Sequence, residues 1–192
     1  MRRPHQLLFA AVVLGLLALH AGYKLQQGRF GEMLWACHIA SLLIGVGLLT
    51  RRSLLVAVGT VFHLALGLPA YVLDLIVSRQ AAVTSVLVHF VPPLAGFLAL
   101  RREAPWPRWT PIAAGSLYVA LIPLSRWLTE PVLNVNVAFA PWPPLASLTP
   151  SLWVSWLVNI GAIAVVLLAF DRSLRLLRWM RRRSSPLGAG SG

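Results

Sequence analysis

Apolar residues fall in six long runs, separated by short breaks that are polar or carry arginine. The runs are continuous rather than alternating, so they predict helices rather than the half-wet strands of a barrel. A helix needs about 20 apolar residues to cross the hydrocarbon layer. The pattern predicts spans at Gln6–Gly22, Glu32–Thr50, Ser53–Val77, Ala81–Leu100, Thr110–Trp127 and Ser151–Phe170. Lys24 to Arg29 is polar, Arg51-Arg52 and Arg101-Arg102 are double arginines, and Glu130 to Pro150 holds too many prolines to span. The expected fold is an all-α, polytopic six-helix transmembrane bundle over residues 1–183, with a basic interfacial extension at 171–183 and a disordered tail at 184–192.

Composition strengthens this picture. Of 192 residues, 58% are hydrophobic and 11% are charged, against about 25% charged in soluble domains. A net charge of +12 suggests nucleic acid in a soluble chain. Here the basic residues stand at helix ends beside apolar runs, so no nucleic-acid partner is expected. Their distribution sets an orientation. Arg2, Arg3, Arg51, Arg52, Arg101, Arg102, Arg108, Arg172, Arg175, Arg178, Arg181, Arg182 and Arg183 fall on one side, and only Lys24, Arg29, Arg79 and Arg126 on the other. Cytoplasmic loops carry the excess, so both termini are expected in the cytoplasm of a multi-pass protein of the plasma (inner) membrane. The first run also has the outline of a signal peptide. It lacks a small residue three positions before a cut after Ala21, which favours an uncleaved helix. The arginines after Phe170 suit either a plain stop-transfer anchor or an interfacial helix that binds anionic lipid headgroups.

This orientation gathers polar side chains toward the outer half of the bilayer. Cys37 and His38 lie about 8 Å inside the outer end of the second span, and His89 about 12 Å inside the fourth. His20 and Asp74 lie near the outer ends of the first and third spans, and His63 lies closer to the midplane. Asn134, Asn136 and Trp142 belong to the external loop, where they are candidates to meet a substrate headgroup, although the asparagines also suit turns. An unpartnered polar group in hydrocarbon costs several kcal/mol, so such residues share a pocket, find local bonds or do chemistry. Each has a plain alternative: Cys37 as a small packing residue, His89 bonded one turn back toward Ser85, and His63 bonded toward Thr60. Pro69, Pro92 and Pro93 loosen the nearby backbone. There is no phosphate-binding glycine loop, no paired-cysteine zinc motif and no HExxH, so no metal site is expected. The single cysteine excludes an intrachain disulfide.

The segments WACHIASLL, VLVHFVPPLAGF and NVNVAFAPWPPLASLTPSLWVSW carry a resemblance. Over about residues 30 to 170 the chain resembles the androgen-induced-protein family of intramembrane lipid hydrolases, its bacterial integral membrane members and the related ether-phospholipid acyltransferases. The resemblance implies a nucleophile at Cys37, a partner histidine at His89 with Pro93 four residues on, and membrane lipids as substrates. His38, directly after the cysteine, departs from that pattern. His38, Asp74, His63 and His20 are then pocket or orienting residues. Two other readings stand beside this one. One is a b-type haem protein, with His38 and His89 or, less well, His20 and His63 as axial ligands. The other is an accessory membrane subunit without chemistry or cofactor. The oligomeric state is not legible.

Overall fold

The computed structural model describes residues 3–79, 82–102, 106–141, 149 and 151–184. Among them all regular structure is helical. The order is α1 (Arg3–Gln26), a 3-10 turn (Phe30–Leu34), α2 (Ala36–Thr50), α3 (Ser53–Phe62), a π-helical turn (His63–Gly67) and α4 (Leu68–Ser78). It continues with α5 (Val83–Arg102), α6 (Thr110–Leu128), 3-10 turns at Pro131–Leu133 and Val135–Val137, and α7 (Leu152–Ser184). The expected 184–192 tail and Trp142 lie outside the described residues, apart from Ser184 at the end of α7.

Five segments are long and apolar enough to cross a bilayer: His5–Gln26, Ser53–Val77, Val83–Arg101, Thr110–Leu128 and Leu152–Leu177. The second expected span is shorter than its apolar run suggests. It was expected from Glu32, but the helix begins at Ala36, because Trp35 adopts an extended backbone (φ −52°, ψ 136°) and Glu32 belongs to the preceding 3-10 turn. Glu32 is 6% exposed. It binds Lys24 Nζ at 2.5 Å and pairs with Arg29, so the buried carboxylate is held between two cations. The last helix runs without a break from the apolar run into the arginines, 33 residues in all. At 1.5 Å per residue it is about 50 Å long, which exceeds a hydrocarbon core of about 30 Å.

Burial ranks the helices. In Ser53–Val77 half of the most apolar window is buried, against 11% in α7. Every residue from Val56 to Phe62 is buried, so α3 is the central rod. One core cluster joins Phe62 and Val61 to Tyr118, Leu121 and Leu167. A second joins Val13, Ile44, Ala57 and Ala95 on the opposite side of α3. Leu19, Val77, Val83, Trp127, Trp153 and Leu157 are each more than half exposed, an outer surface suited to lipid rather than water.

Neighbour pairs give the helix directions. A side chain at Gly47 would meet Val56 and one at Gly59 would meet Ala40, so α2 and α3 are antiparallel. His20 meets His38 at one end of α1–α2, and Gly45 meets Leu14 further along. Ser41 donates toward the Val88 carbonyl and Gly96 lies against Ile44, so α2 and α5 run in the same direction. That parallel alignment brings residue 37 level with residue 89. At the far end of the bundle Asp171 accepts from Trp106 Nε1 at 2.5 Å and from Arg175 Nε at 2.6 Å. Arg175 also donates to the Pro107 carbonyl at 2.9 Å, which ties α7 to the segment before α6.

At Gly59 a Cβ would stand 2.5 Å from the Ala40 carbonyl oxygen and 2.8 Å from Ile44 Cγ1. Gly59→Val is expected to destabilise the bundle by about 1–3 kcal/mol, the usual penalty of overpacking. Gly115→Ala, where nothing lies within 4 Å, serves as the comparison that does not destabilise. Unfolding by sodium dodecyl sulfate in mixed micelles measures both.

Candidate functional site

Four histidines from four segments converge beside the only cysteine: His20 of α1, His38 of α2, His63 of the π turn and His89 of α5. The ring centroids are 4.9 Å apart for His20–His38, 5.5 Å for His38–His89 and 5.8 Å for His63–His89. All four rings are buried, and Cys37 is half-buried. Cys37 Sγ lies 3.3 Å from His89 Nε2.

The backbone selects the ring tautomers. His89 Nδ1 is 2.7 Å from the Ser85 carbonyl oxygen, and His38 Nδ1 is 2.9 Å from the Glu32 carbonyl oxygen. A carbonyl only accepts, so in each neutral ring Nδ1 carries the proton and Nε2 keeps a lone pair. His89 therefore turns an acceptor nitrogen toward the thiol. His63 is opposite in sense. Ser41 gives its one hydroxyl proton to the Cys37 carbonyl at 3.0 Å or the Val88 carbonyl at 3.3 Å, so His63 Nε2 donates to Ser41 Oγ at 3.1 Å. Three ring nitrogens of the cluster, His20 Nε2, His38 Nε2 and His63 Nδ1, are buried without a hydrogen-bond partner among the described residues. Each such atom costs about 1–3 kcal/mol while it stays unsatisfied.

Sequence reasoning missed three supports of this site. Tyr71 of α4 stacks flat on His89, centroids 3.9 Å apart and planes 5° apart, with its hydroxyl buried and unpartnered. The π turn widens the helix just before Pro69, whose missing N–H and ring disfavour a regular turn there. Turns of this kind recur at functional sites. Gly67 of that turn faces the cysteine, and a Cβ there would lie 3.0 Å from both Cys37 Cβ and His63 Nδ1. The available signal was Gly67 two residues before Pro69, four residues after a histidine.

Other expected residues stand elsewhere. Asp74 is exposed, because α4 leaves the packed bundle beyond Tyr71, where Val72, Leu73, Ile76 and Val77 are exposed as well. It does not join the histidines. Asn134 folds back on its own loop, accepting from the Phe139 and Ala140 N–H groups at 3.0 Å. Asn136, expected at a headgroup, is instead 2% exposed and clamps the start of α2. Its Oδ1 accepts the Ala36 N–H at 3.0 Å, and its Nδ2 donates to the Leu34 carbonyl at 2.8 Å and to Ser125 Oγ at 2.9 Å. The physical reason is the unsatisfied N–H at the first turn of any helix. That turn carries Cys37 and His38, so Asn136 positions both.

The donor set bears on two kinds of bound group. No metal site was expected from the sequence, yet ligand atoms of Cys37, His38 and His89 all lie within 4.8 Å of one another. Haem fits less well. Bis-imidazole ligation needs room for the macrocycle between two rings. The His38 and His89 rings are 5.5 Å apart, and Cys37 Sγ already occupies the direction of His89 Nε2. Opening that gap would separate α2 from α5.

Fold and site together define a polytopic all-α membrane protein with a buried cysteine–histidine cluster, equipped to bind a metal ion or to act on a substrate. No protein-family model, curated protein or solved structure matches the chain.

Asn136→Leu removes all three side-chain bonds and leaves the Ala36 N–H and Ser125 without that partner. A loss of about 2–3 kcal/mol in thermal or denaturant stability is expected. Alkylation of Cys37 should accelerate in the same variant as the first turn of α2 frays. A merely headgroup-facing asparagine would move neither readout.

Proposed function

We propose that the protein is a membrane lipid acyl hydrolase or acyltransferase, with Cys37 as nucleophile and His89 as its general base. The observation that carries this reading is the 3.3 Å approach of Cys37 Sγ to His89 Nε2, in a ring whose Nδ1 is held by the Ser85 carbonyl. A thiol becomes a strong nucleophile when a neighbouring base takes its proton. In the first step the Cys37 proton passes to His89 Nε2 as sulfur attacks the ester carbonyl carbon. A carbon–sulfur bond forms, the ester carbon–oxygen bond breaks, and the leaving alkoxide takes the proton from His89. Water (for hydrolysis) or a second lipid hydroxyl (for transfer) then gives its proton to the same nitrogen and attacks the thioester. The thiolate leaves and recovers that proton, which closes the cycle.

The surroundings support this chemistry. Cys37 is half-buried, and Gly67 places no side chain against it. The buried hydroxyl of Tyr71 is a donor without a partner, available to a bound substrate. The resemblance of WACHIASLL and VLVHFVPPLAGF to the androgen-induced-protein group and its bacterial members belongs to the same proposal.

The topology that goes with it has six passes, α3 and α4 counting as one, with both termini cytoplasmic in a bacterial plasma membrane. α2 alone, 15 residues, reaches about 22 Å, and the 3-10 turn before it lengthens that pass. The charge bias and the parallel run of α2 and α5 support two passes entered from the outer side. The arginines of the α7 extension then face anionic headgroups of the inner leaflet.

Cys37→Ala is expected to abolish covalent labelling by a thiol-reactive phospholipid analogue. His89→Ala is expected to lower the labelling rate by about 100-fold or more, as loss of a general base does. Because Cys37 is the single thiol, its variant is the blank for this assay, and labelling of His89→Ala at the wild-type rate would remove the catalytic assignment. For the topology, reporters active only in the cytoplasm should be active when fused before residue 3 and after residue 184, and inactive when inserted at Gln27.

A further inference from the structure

We propose that Cys37, His38 and His89 form a binding site for a soft d10 transition-metal ion, Zn²⁺ or Cu⁺. The inference goes beyond acyl transfer and does not rest on it, although Cys37 and His89 belong to both. Three observations carry it. The first is proximity: one ligand atom from each residue lies within 4.8 Å of the others. Tetrahedral zinc with bonds of about 2.0–2.3 Å separates its ligand atoms by about 3.3–3.6 Å. The Cys37 Sγ to His89 Nε2 edge, at 3.3 Å, already has that length. The other two edges are no longer than 4.8 Å.

The second observation is ring orientation. A histidine that binds a metal through one nitrogen nearly always donates its other N–H to a carbonyl or carboxylate, which fixes the lone pair on the metal side. Both histidines of the trio have this arrangement, through the Glu32 and Ser85 carbonyls. The third is the unmet need of His38. Its Nε2 is buried with a lone pair and no partner among the described residues, whereas acyl transfer by Cys37 and His89 assigns it nothing to do. A metal ion satisfies that atom.

The donor set also selects the ion. One thiolate with two imidazoles suits borderline and soft ions and discriminates against calcium and magnesium, which require oxygen. Binding forms one metal–sulfur and two metal–nitrogen bonds and releases one proton, that of the Cys37 thiol. Cu⁺ leaves the trio neutral and Zn²⁺ leaves it with a single positive charge. An ion held here occupies both the thiol and the lone pair of His89, so the metal-bound protein has no free nucleophile.

Because the chain has a single cysteine, any thiol reagent reports on Cys37 alone. The full-length protein in micelles, stripped with a chelator, is titrated with Zn²⁺, with Cu⁺ under reducing anaerobic conditions, and with Co²⁺ as a spectroscopic stand-in for zinc. The expected result is one ion per chain, loss of maleimide labelling on loading, its return on chelation, and a thiolate-to-cobalt charge-transfer band. His38→Gln should lose ion binding and the protection, while its metal-free thiol labels at the wild-type rate, which an unfolded chain would exceed. Should that variant not purify in folded form, the wild-type titration decides alone. Binding of either ion with protection of Cys37 supports the site. Labelling unaffected by both ions, or full affinity retained in His38→Gln, overturns it. Failure of the acyl-transfer reading would appear separately, in the lipid-probe labelling of metal-free protein.

Discussion

Inside hydrocarbon a ring nitrogen has only the protein to bond to, and His38 and His89 meet that constraint in the same way. Each gives its Nδ1 proton to a backbone carbonyl, at 2.9 Å and 2.7 Å. These two bonds determine which nitrogen of each ring faces the cluster and in which protonation state. The lone pairs of Nε2 then point inward, one onto the thiol and one into unpartnered space. In water the same rings would exchange tautomers freely and the site would have no defined polarity. Both chemical readings, a base for a thiol and ligands for a metal ion, follow from that one choice.

The scaffold makes the choice possible through helix direction. α2 and α5 run parallel although α3 and α4 separate them in the chain, so the first turns of one stand level with the middle of the other. The clamp at Asn136 holds the first turn of α2 from the side of α6. The π turn brings His63 and Gly67 against the cysteine from a third direction. The site is therefore held by elements distant in sequence, and its geometry depends on the whole bundle.

The two ends of the bundle treat charge differently. Where α1 meets α2, Glu32 is enclosed by Lys24 and Arg29, next to the cluster. At the other end Asp171 is 2% exposed and engages Trp106 and Arg175 to fasten the longest helix to the segment before α6. Both acids are buried and both are paired, as burial of a carboxylate in this environment demands. Neither touches the thiol. Among the described residues the three clustered ligand atoms come from one thiol and two imidazoles, with no carboxylate.

Much of this was legible in the residue order. Continuous apolar runs and double arginines mark the helices and their ends, because the solvation requirement of a membrane acts on local composition. The isolated polar residues Cys37 and His89 stand out for the same reason. What the order of residues could not decide was helix rotation, since a run that is apolar on every face carries no periodic signal for its buried side. Only packing turned His38 and His20 toward Cys37, left Asp74 outside, and stacked Tyr71 on His89. Packing likewise drew Asn136 from the loop to the open N–H of α2, a bond between residues a hundred positions apart. Local composition, then, determined that this chain lies in a membrane and which residues are candidates for chemistry. Tertiary structure alone decided which of them meet, because contact between helices depends on faces that hydrophobicity does not distinguish.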